Sequence, residues 1–503
     1  MRLIQILENS KKSPVPCLVY GHVCAFLCQL GIALALISPL AAQSKATVSI
    51  TLSPGSPRAN AIPDDFLGIS LEMSAIMAAN NGGQPWISGA ITPYSNMLQK
   101  IGVKSLRIGG NSSERQPYAT ALDGTNVNAF SQLIGANLLW TVPVKQFYNQ
   151  AAGVSYVQGL YEDQQKHGYT FSSTIEIGNE PDNSENLPGS AITYATWQSR
   201  YDAYNSAFRS QVSASILSSG PAAADGPSWD NSFADDAKYS GTLKPTVGFI
   251  TLHNYPEGSS TQYATVTAAD TAMLAASNAS KYQNLYNGFG PNAISHGFKP
   301  RIEETNSMYG GGSPGASNSY AAALWVEDYL CYMAYNTGLA GMNIHTGPIG
   351  SNSGSYNPIS PVGAASAYTL EGPGYGMWAF HYGSQGEPVP TTISNSSNVN
   401  LTAYGLLESN GTETVHIINK TFGSGAADVT VKITPNGGFT HAQTIYLQQA
   451  NNDVTQTGGI TFGGQPMNTD GTWTGGYGPS FSGTNGVFTV SLPHAQSVVV
   501  HFF

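Results

Sequence analysis

The chain has 503 residues, of which 41% are hydrophobic, enough to bury one large core and a second, smaller one. Asp, Glu, Lys and Arg together make up only 10%, against roughly 25% in an average soluble protein, a composition that suits an exported protein. The net charge of -10, with only 20 Lys and Arg and no run of basic residues, argues against a nucleic-acid partner.

Residues 1–44 have the pattern of a signal peptide. Arg2, Lys11 and Lys12 precede an apolar stretch that ends in the small residues PLAAQS. We predict cleavage within residues 41–44, which makes the protein secreted or periplasmic, without membrane contact after the signal is removed. The alternative is an uncleaved membrane anchor, because the apolar stretch is long enough to span a bilayer.

The next segments alternate between strand and helix patterns. Residues 45–60 include ATVSITL, a strand predicted to belong to a different domain from the segment that follows it. Residues 61–385 repeat short apolar strands and longer helical segments, and the predicted strands are FLGISLE, VKSLRIGG, NLLWTVPV, TIEIGNE, VGFITLHNY, PRIEETN and GMNIHTG. This repetition predicts a (β/α)8 TIM barrel of the α/β class, with an open doubly wound sheet as the alternative.

The C-terminal region, residues 386–503, has a different pattern. Gly, Thr, Asn and Ser separate short strands such as VHIINK, DVTVKIT, VFTVSL and SVVVHFF. This spacing is typical of an antiparallel β-sandwich, which we expect the strand near Val48 to complete. Its simplest role is to brace the barrel.

Carboxylates lie at the C-terminal ends of two predicted barrel strands. Glu180 follows TIEIGN, and Glu303 and Glu304 lie in PRIEETNSMYGGG. The C-terminal strand ends of such a barrel surround its active site, so carboxylates from different strands can converge there. Cleaving a glycosidic bond requires one protonated acid and one ionised carboxylate, so the pattern predicts a glycosidase. Asn179, beside Glu180, is predicted to bind a sugar hydroxyl.

Other strand ends supply further candidates. Glu72 in GISLEMS is predicted to bind hydroxyls on the far side of the sugar, and Arg107 in LRIGGNSSER to be a barrel-interior cation that orients the nucleophile. Asn111 follows two glycines that allow close backbone approach, which makes it a candidate substrate contact. His253 and Tyr255 lie two residues apart on one face of LHNYPEG, where the alternative is aromatic packing over the barrel rim.

Two of these segments resemble known families. EIGNEP resembles the acid/base strand of the glycoside hydrolase clan A barrels, and EETNSMYGGG resembles the nucleophile segment of glycoside hydrolase family 79, which contains β-glucuronidases and the heparanases. The resemblance covers about residues 66–382. It implies a retaining mechanism, with Glu304 as nucleophile, Glu180 as acid/base and the two carboxyl groups roughly 5 to 5.5 Å apart. It also implies that Glu303 points the opposite way along the strand.

The same resemblance implies roles for three tyrosines. Tyr255 would hydrogen-bond the nucleophile, whereas Tyr309 and Tyr356 would lie near a uronate carboxylate, together with backbone amides of glycine-rich loops. The expected substrate is therefore a glucuronic-acid-containing glycoside or oligosaccharide. We favour exo-cleavage of terminal β-D-glucuronic acid at acidic pH, because the clustered Lys and Arg that a long sulfated chain would need are not visible.

Two alternatives to a β-glucuronidase stay open. One is a clan A retaining hydrolase of neutral glycosides, of the β-glucosidase or arabinofuranosidase type, and the other is a non-catalytic, exported carbohydrate-binding barrel. No cofactor or metal is predicted, since GPIGSNSG lacks the ending of a P-loop and the ten histidines have no ligand spacing. The sequence leaves the aglycone and the oligomeric state open.

Overall fold

A computed structural model describes residues 45–55, 60–115, 118–184, 191–224, 226–347, 354–362 and 367–503. The predicted signal peptide lies outside these residues, as do residues 348–353 of the glycine-rich segment GPIGSNSG. Within the described part of the chain, no helix is both long and apolar enough to cross a membrane.

Eight parallel strands close into a barrel, which confirms the predicted fold class and excludes the open sheet. In barrel order they are β2 Leu67–Glu72, β3 Ser105–Gly109, β4 Asn137–Val142, β5 Ser173–Ile177, β6 Leu217–Ala223, β7 Val247–Asn254, β8 Pro300–Thr305 and β9 Met342–Thr346. Strand β6 is the one that the sequence pattern does not reveal. Its sequence, LSSGPAA, offers neither apolar alternation nor β-branched residues, and its buried position between β5 and β7 makes it a strand.

The described helices pack around and above the barrel. They are α1 Met73–Ile76, α2 Pro93–Lys100, α3 Ala121–Ile134, α4 Gln150–His167, α5 Tyr194–Ala207, α6 Ser228–Asp235, α7 Ala237–Ser240, α8 Val266–Met273, α9 Asn278–Ser295, α10 Tyr320–Asn336 and α11 Gly372–His381. Several begin at a side-chain cap; in α3, for example, Thr120 and Asp123 form a capping box, and Gly135 ends the helix in the left-handed conformation.

The interior of the barrel is polar. Alternate strand residues such as Ile69 and Ile108 face the helices and join the main hydrophobic core. The residues between them face inward, where Arg107 donates a hydrogen bond to Ser70 and Arg301 donates one to Asn343. Barrels of this kind usually fill their interior with branched apolar side chains. Here a hydrogen-bonded polar network fills it and supports the residues at the upper rim.

The remaining strands form a hairpin and two packed sheets. The hairpin pairs β10 Ile359–Val362 with β11 Ala367–Leu370. One sheet has the order β13 Thr391–Ser394, β1 Ala46–Leu52, β16 Val429–Thr434 and β20 Phe488–Leu492. The other has the order β12 Gly386–Val389, β14 Leu401–Glu408, β15 Glu413–Asn419, β21 Gln496–Phe502, β17 His441–Gln449 and β18 Ile460–Phe462, with β19 Phe481–Ser482 paired to β17. Val48 and Ile50 of β1 are fully buried in the core of this β-sandwich.

A buried ion pair joins the sandwich to barrel helix α10. Lys420, directly after β15, donates to Asp328 at 2.7 Å, and both side chains are almost fully buried. The hydroxyls of Thr402 and Tyr404 donate to the other carboxylate oxygen of Asp328, also at 2.7 Å. Losing one partner of such a pair leaves the other charge buried and uncompensated.

We expect Lys420→Met to lower the free energy of unfolding by about 3–5 kcal/mol, measured by chemical denaturation. The matched control is Lys432→Met, because Lys432 is exposed on β16, where a surface substitution changes stability by about 0.5 kcal/mol or less. Equal losses in the two variants would contradict a stabilising role for the Lys420–Asp328 pair.

Candidate active site

A cavity of about 820 Å³ opens at the C-terminal ends of the barrel strands. Its volume lies in the range of roughly 300–1,000 Å³ that is usual for small-molecule sites. The described residues that line it include Glu72, Asn111, Glu180, Asn183, His253, Tyr255, Glu304, Tyr309, His345 and Tyr356. Eight of the ten predicted site residues therefore line one cavity; Arg107 and Asn179 are buried in hydrogen-bond contact with that set.

Glu180 is placed by an unusual backbone turn just after β5. Its φ of 44° lies in the left-handed region, which a residue other than glycine enters only when the surrounding structure holds it there. Two contacts do so: the amide of Glu180 donates to the carbonyl of Ala222 at 3.0 Å, and the amide of Asn179 donates to the buried carboxylate of Glu114 at 3.2 Å. The turn brings the Glu180 side chain to the cavity wall with only 6% of the residue exposed.

Glu304 is held on both of its carboxylate oxygens. Arg107 donates to Oε2 at 2.7 Å, and the hydroxyl of Tyr255 donates to Oε1 at 2.8 Å. Burial alone would raise the pKa of Glu304, but electrostatic interactions with His345, His253 and Arg107, together with the Tyr255 hydrogen bond, lower it to about 2. Glu304 is therefore an ionised, oriented carboxylate at neutral and mildly acidic pH.

The two carboxylates face each other across a short gap, with His253 beside them. One oxygen of Glu180, one of Glu304 and one ring nitrogen of His253 all lie within 4.8 Å of one another. Nδ1 of His253 is 3.2 Å from Oε1 of Glu180. An oxygen–oxygen separation below 4.8 Å is compatible with the spacing of about 5–5.5 Å found in retaining glycosidases.

The same three atoms of Glu180, Glu304 and His253 are also close enough to one another to ligate a metal ion. Both oxygens of Glu304, however, already accept strong hydrogen bonds from Arg107 and Tyr255. A cation bound there would have to compete with the guanidinium for Oε2. The two carboxyl groups are therefore better placed to act together on one substrate than to ligate a metal ion.

The expectation that Glu303 points away from Glu304 is wrong. On β8, Ile302 is opposite Leu252 and Glu304 is opposite His253, so Glu303 is an extra residue in the ladder. This β-bulge breaks the two-residue alternation. Glu303 consequently lies in the barrel interior, fully buried beside Glu176, while the next residue, Glu304, reaches the cavity.

Arg107 connects the interior network to the two asparagines. One guanidinium nitrogen donates to the side-chain oxygen of Asn179 at 2.8 Å, and Asn179 in turn donates to Asn111 at 3.3 Å. Asn179 is 1% exposed, whereas Asn111 lines the cavity. The geometry makes Asn111 the candidate for direct substrate contact and Asn179 its support.

Glu72 lies on the opposite wall, held by Ser112 and His345. The amide of Ser112 donates to it at 3.0 Å, the Ser112 hydroxyl makes a further short contact, and Nε2 of His345 is 3.7 Å away. Burial would raise the pKa of Glu72, but these neighbours lower it overall. An ionised carboxylate here can accept hydrogen bonds from sugar hydroxyls.

Three tyrosines form the remaining wall. The ring centroids of Tyr255 and Tyr356 are 6.3 Å apart, and Tyr309 is at the same distance from Tyr255 but is 49% exposed. Backbone hydrogen bonds join the loops after β7 and β8: the amide of Tyr309 donates to Gly258 at 2.9 Å, and the amide of Ser260 donates to Tyr309 at 3.0 Å. The wall is thus a single connected surface beside Glu304.

The sequence analysis missed two residues of the site. Asn183 donates to Oε2 of Glu180 at 3.2 Å, three residues further along the same turn. Glu176 accepts from Nε of Arg107 at 2.8 Å beneath the site. The only sequence signal for Glu176 is its even spacing from Glu180 in TIEIGNE, which a charged strand residue on either face would share.

Comparisons with known proteins agree with this architecture. Residues 403–499 match the model of the glycosyl hydrolase family 79 C-terminal beta domain. A search of curated protein sequences found no match.

Several solved structures share the fold. A 4-O-α-L-rhamnosyl-β-D-glucuronidase from Fusarium oxysporum 12S, in complex with Rha-GlcA, superposes with a TM-score of 0.70 at 21% identity, over 90% of this chain and 99% of the other. The GH51 arabinofuranosidase from Xanthomonas axonopodis pv. citri gives 0.65 at 13% identity, over 91% and 100%. CelM2, a bifunctional glucanase-xylanase from a metagenome library, gives 0.58 at 14% identity, over 91% and 99%. At these identities the likeness concerns the fold.

Proposed function

Because the chain belongs to glycoside hydrolase family 79 and is a glycosidase, we propose that it is a retaining exo-β-glucuronidase acting on terminal β-D-glucuronic acid. The observation that carries the proposal is the pair of carboxylates, Glu180 and Glu304, whose oxygens lie within 4.8 Å of each other in one cavity. Glu304 accepts from the guanidinium of Arg107, whereas Glu180 lies beside the ring of His253, so the two carboxyl groups have the different environments that a nucleophile and an acid require.

In the first step, Glu304 attacks the anomeric carbon while Glu180 gives its proton to the departing aglycone oxygen. The bond from the anomeric carbon to the aglycone breaks, and an ester bond to Glu304 forms. Arg107 and Tyr255 hold the attacking carboxylate in line. In the second step, Glu180 takes a proton from a water molecule, which attacks the anomeric carbon and releases Glu304.

Support for a uronate substrate comes from the wall beside Glu304. Tyr309 and Tyr356 place hydroxyl groups there, next to the glycine-rich segment 310–312. Gly354 packs so closely on this segment that a Cβ at position 354 would lie 2.5 Å from the carbonyl oxygen of Gly311. Hydroxyls and backbone amides of this kind can bind a carboxylate without a salt bridge. The similar Fusarium enzyme acts on a glucuronide, which agrees with the proposal.

Matched chromogenic substrates test the proposal. We expect the β-D-glucuronide to be hydrolysed faster than the β-D-glucoside and the α-L-arabinofuranoside with the same aryl group, and NMR to show β-glucuronic acid as the first product. Preference for the glucoside or the arabinofuranoside would overturn the uronide assignment and favour a hydrolase of neutral glycosides. A first product of α configuration would instead overturn the retaining mechanism.

A further inference from the structure

Four buried polar atoms beneath the active site lack an obvious partner. Among the residues that the structure describes, none forms a hydrogen bond with these four atoms. They are Oε1 of Glu176, the two carboxyl oxygens of Glu303 and Nε2 of His253. Buried oxygens without donors are costly, and an ionised carboxylate without donors is costlier still. Their arrangement therefore requires an explanation that the proposed mechanism does not supply.

The two carboxyl groups differ in what surrounds them. Glu176 accepts from Nε and lies 2.8 Å from Nη2 of Arg107, and Thr141 donates to the same oxygen, Oε2. Its other oxygen, Oε1, lies 3.8 Å from Nε2 of His253. Glu303 has Glu176 as its hydrogen-bonding neighbour and is fully buried. Two neighbouring carboxyl groups can form a hydrogen bond with each other only if one of them carries a proton, which also removes the repulsion between two negative charges.

We propose that Glu303 and Glu176 share one proton, with Glu303 as a neutral acid that donates to Glu176, so that the pair places a single negative charge beneath Arg107 and His253. A proton between the two carboxyls satisfies Oε1 of Glu176 and one oxygen of Glu303. Glu176 and Glu303 then act as positioning residues, since neither lines the cavity. They set the charge under the two cations that contact Glu304 and Glu180.

The charged and titratable groups around the pair come from four strands. Arg107 of β3 contacts Glu176 directly, and Nε2 of His253 on β7 is 3.8 Å from Oε1 of Glu176. On β8, Arg301 lies below Glu303 and Glu304 above it, and His345 of β9 faces Glu304 at 3.7 Å. Burial raises the pKa of Glu303 well above its ordinary value, and the charge of Glu176 raises it further.

The buried Glu176–Glu303 pair affects the active site through the charge of His253. Burial would lower the pKa of His253, but the charge of Glu304 and the contacts with Glu176 and Glu180 raise it to about 9. A protonated His253 donates from Nδ1 to Glu180 at 3.2 Å and stabilises the carboxylate that Glu180 becomes after giving up its proton. The single charge on the buried pair keeps His253 cationic when Glu180 needs that support.

The test compares Glu176→Gln with Glu303→Gln. Both variants keep the side-chain shape, but only the first removes the charge under His253. We expect Glu176→Gln to lower kcat/KM about 100-fold, as a displaced catalytic group does. It should also move the alkaline limb of the pH profile down by about one pH unit or more, because the pKa of His253 falls when the opposite charge of Glu176 is lost. Glu303→Gln still offers a donor to Glu176, so its alkaline limb should stay at the wild-type position; an equal shift in both variants would overturn the proposal.

A second readout does not depend on turnover. In protein with isotope-labelled glutamate carboxyls, infrared spectra at neutral pH should contain a C=O band of a protonated glutamic acid that persists in Glu180→Gln, and Glu303→Gln should remove that band. The exposed Glu162 provides the control, since Glu162→Gln should leave that band unchanged. Absence of the band in the wild-type protein overturns the proposal even if a variant fails to fold. The kinetic arm rests on the proposed function, whereas the infrared arm stands if the protein hydrolyses another glycoside.

Discussion

Replacing Glu304 with glutamine is expected to abolish turnover, with a fall in kcat of the order of 10⁴-fold or more, as for removal of other covalent nucleophiles. The amide keeps the volume of the side chain but cannot form the ester that the first step requires. Arg107, at 2.7 Å from the carboxylate, would face a neutral group, so the loss cannot be offset from within the site. Steady-state hydrolysis of the aryl β-D-glucuronide measures the effect.

Covalent labelling makes this prediction specific to one residue. A 2-deoxy-2-fluoro glucuronyl fluoride should inactivate the wild-type protein and leave its sugar on Glu304, located by peptide sequencing in a mass spectrometer. Glu304→Gln should not be labelled, and the control Glu387→Gln, at an exposed position on β12, should be labelled like the wild type. A label on the adjacent Glu303 would contradict the assignment, because that side chain lies in the barrel interior.

The fold could be predicted wherever strands carry an apolar signal. Strands such as β4 and β9 present runs of Leu, Ile, Val or Met to the helices, and their spacing indicates the barrel. Strand β6 could not be predicted, because Ser, Gly, Pro and Ala in LSSGPAA fit a loop as well as a strand. Its neighbours on both sides supply the hydrogen bonds that local propensity does not explain.

The site was predictable where function requires a residue at a strand end. Glu180, Glu304 and Tyr255 satisfy that rule, and the structure brings them to one cavity. The orientation of Glu303 was not predictable, since a bulge shifts the register of β8 without a glycine to announce it. Glu176 was not predictable for a related reason. Its role depends on a hydrogen bond from Arg107, which lies on another strand.

The contribution of Glu180 should depend on the leaving group. For a substrate with a poor leaving group, such as an alkyl glucuronide, we expect Glu180→Ala to lower kcat/KM by about 10²–10⁴-fold, the usual contribution of general acid catalysis. A dinitrophenyl glucuronide needs no protonation to depart, so its first step should be nearly unaffected while the second step, which lacks its base, becomes rate-limiting.

The ratio between the two substrates provides the internal control for this variant. Misfolding, or a loss of binding, would lower kcat/KM for both glucuronides alike, whereas loss of an acid lowers it only for the poor leaving group. Added azide should restore turnover of the dinitrophenyl substrate, because a small anion can enter the space left by the carboxylate and needs no base to attack. The product should be the β-glucuronyl azide, since the azide attacks the ester on Glu304 from the side where Glu180 stood. An equal loss with both substrates, or an α-configured azide, would show that Glu180 is not the acid/base.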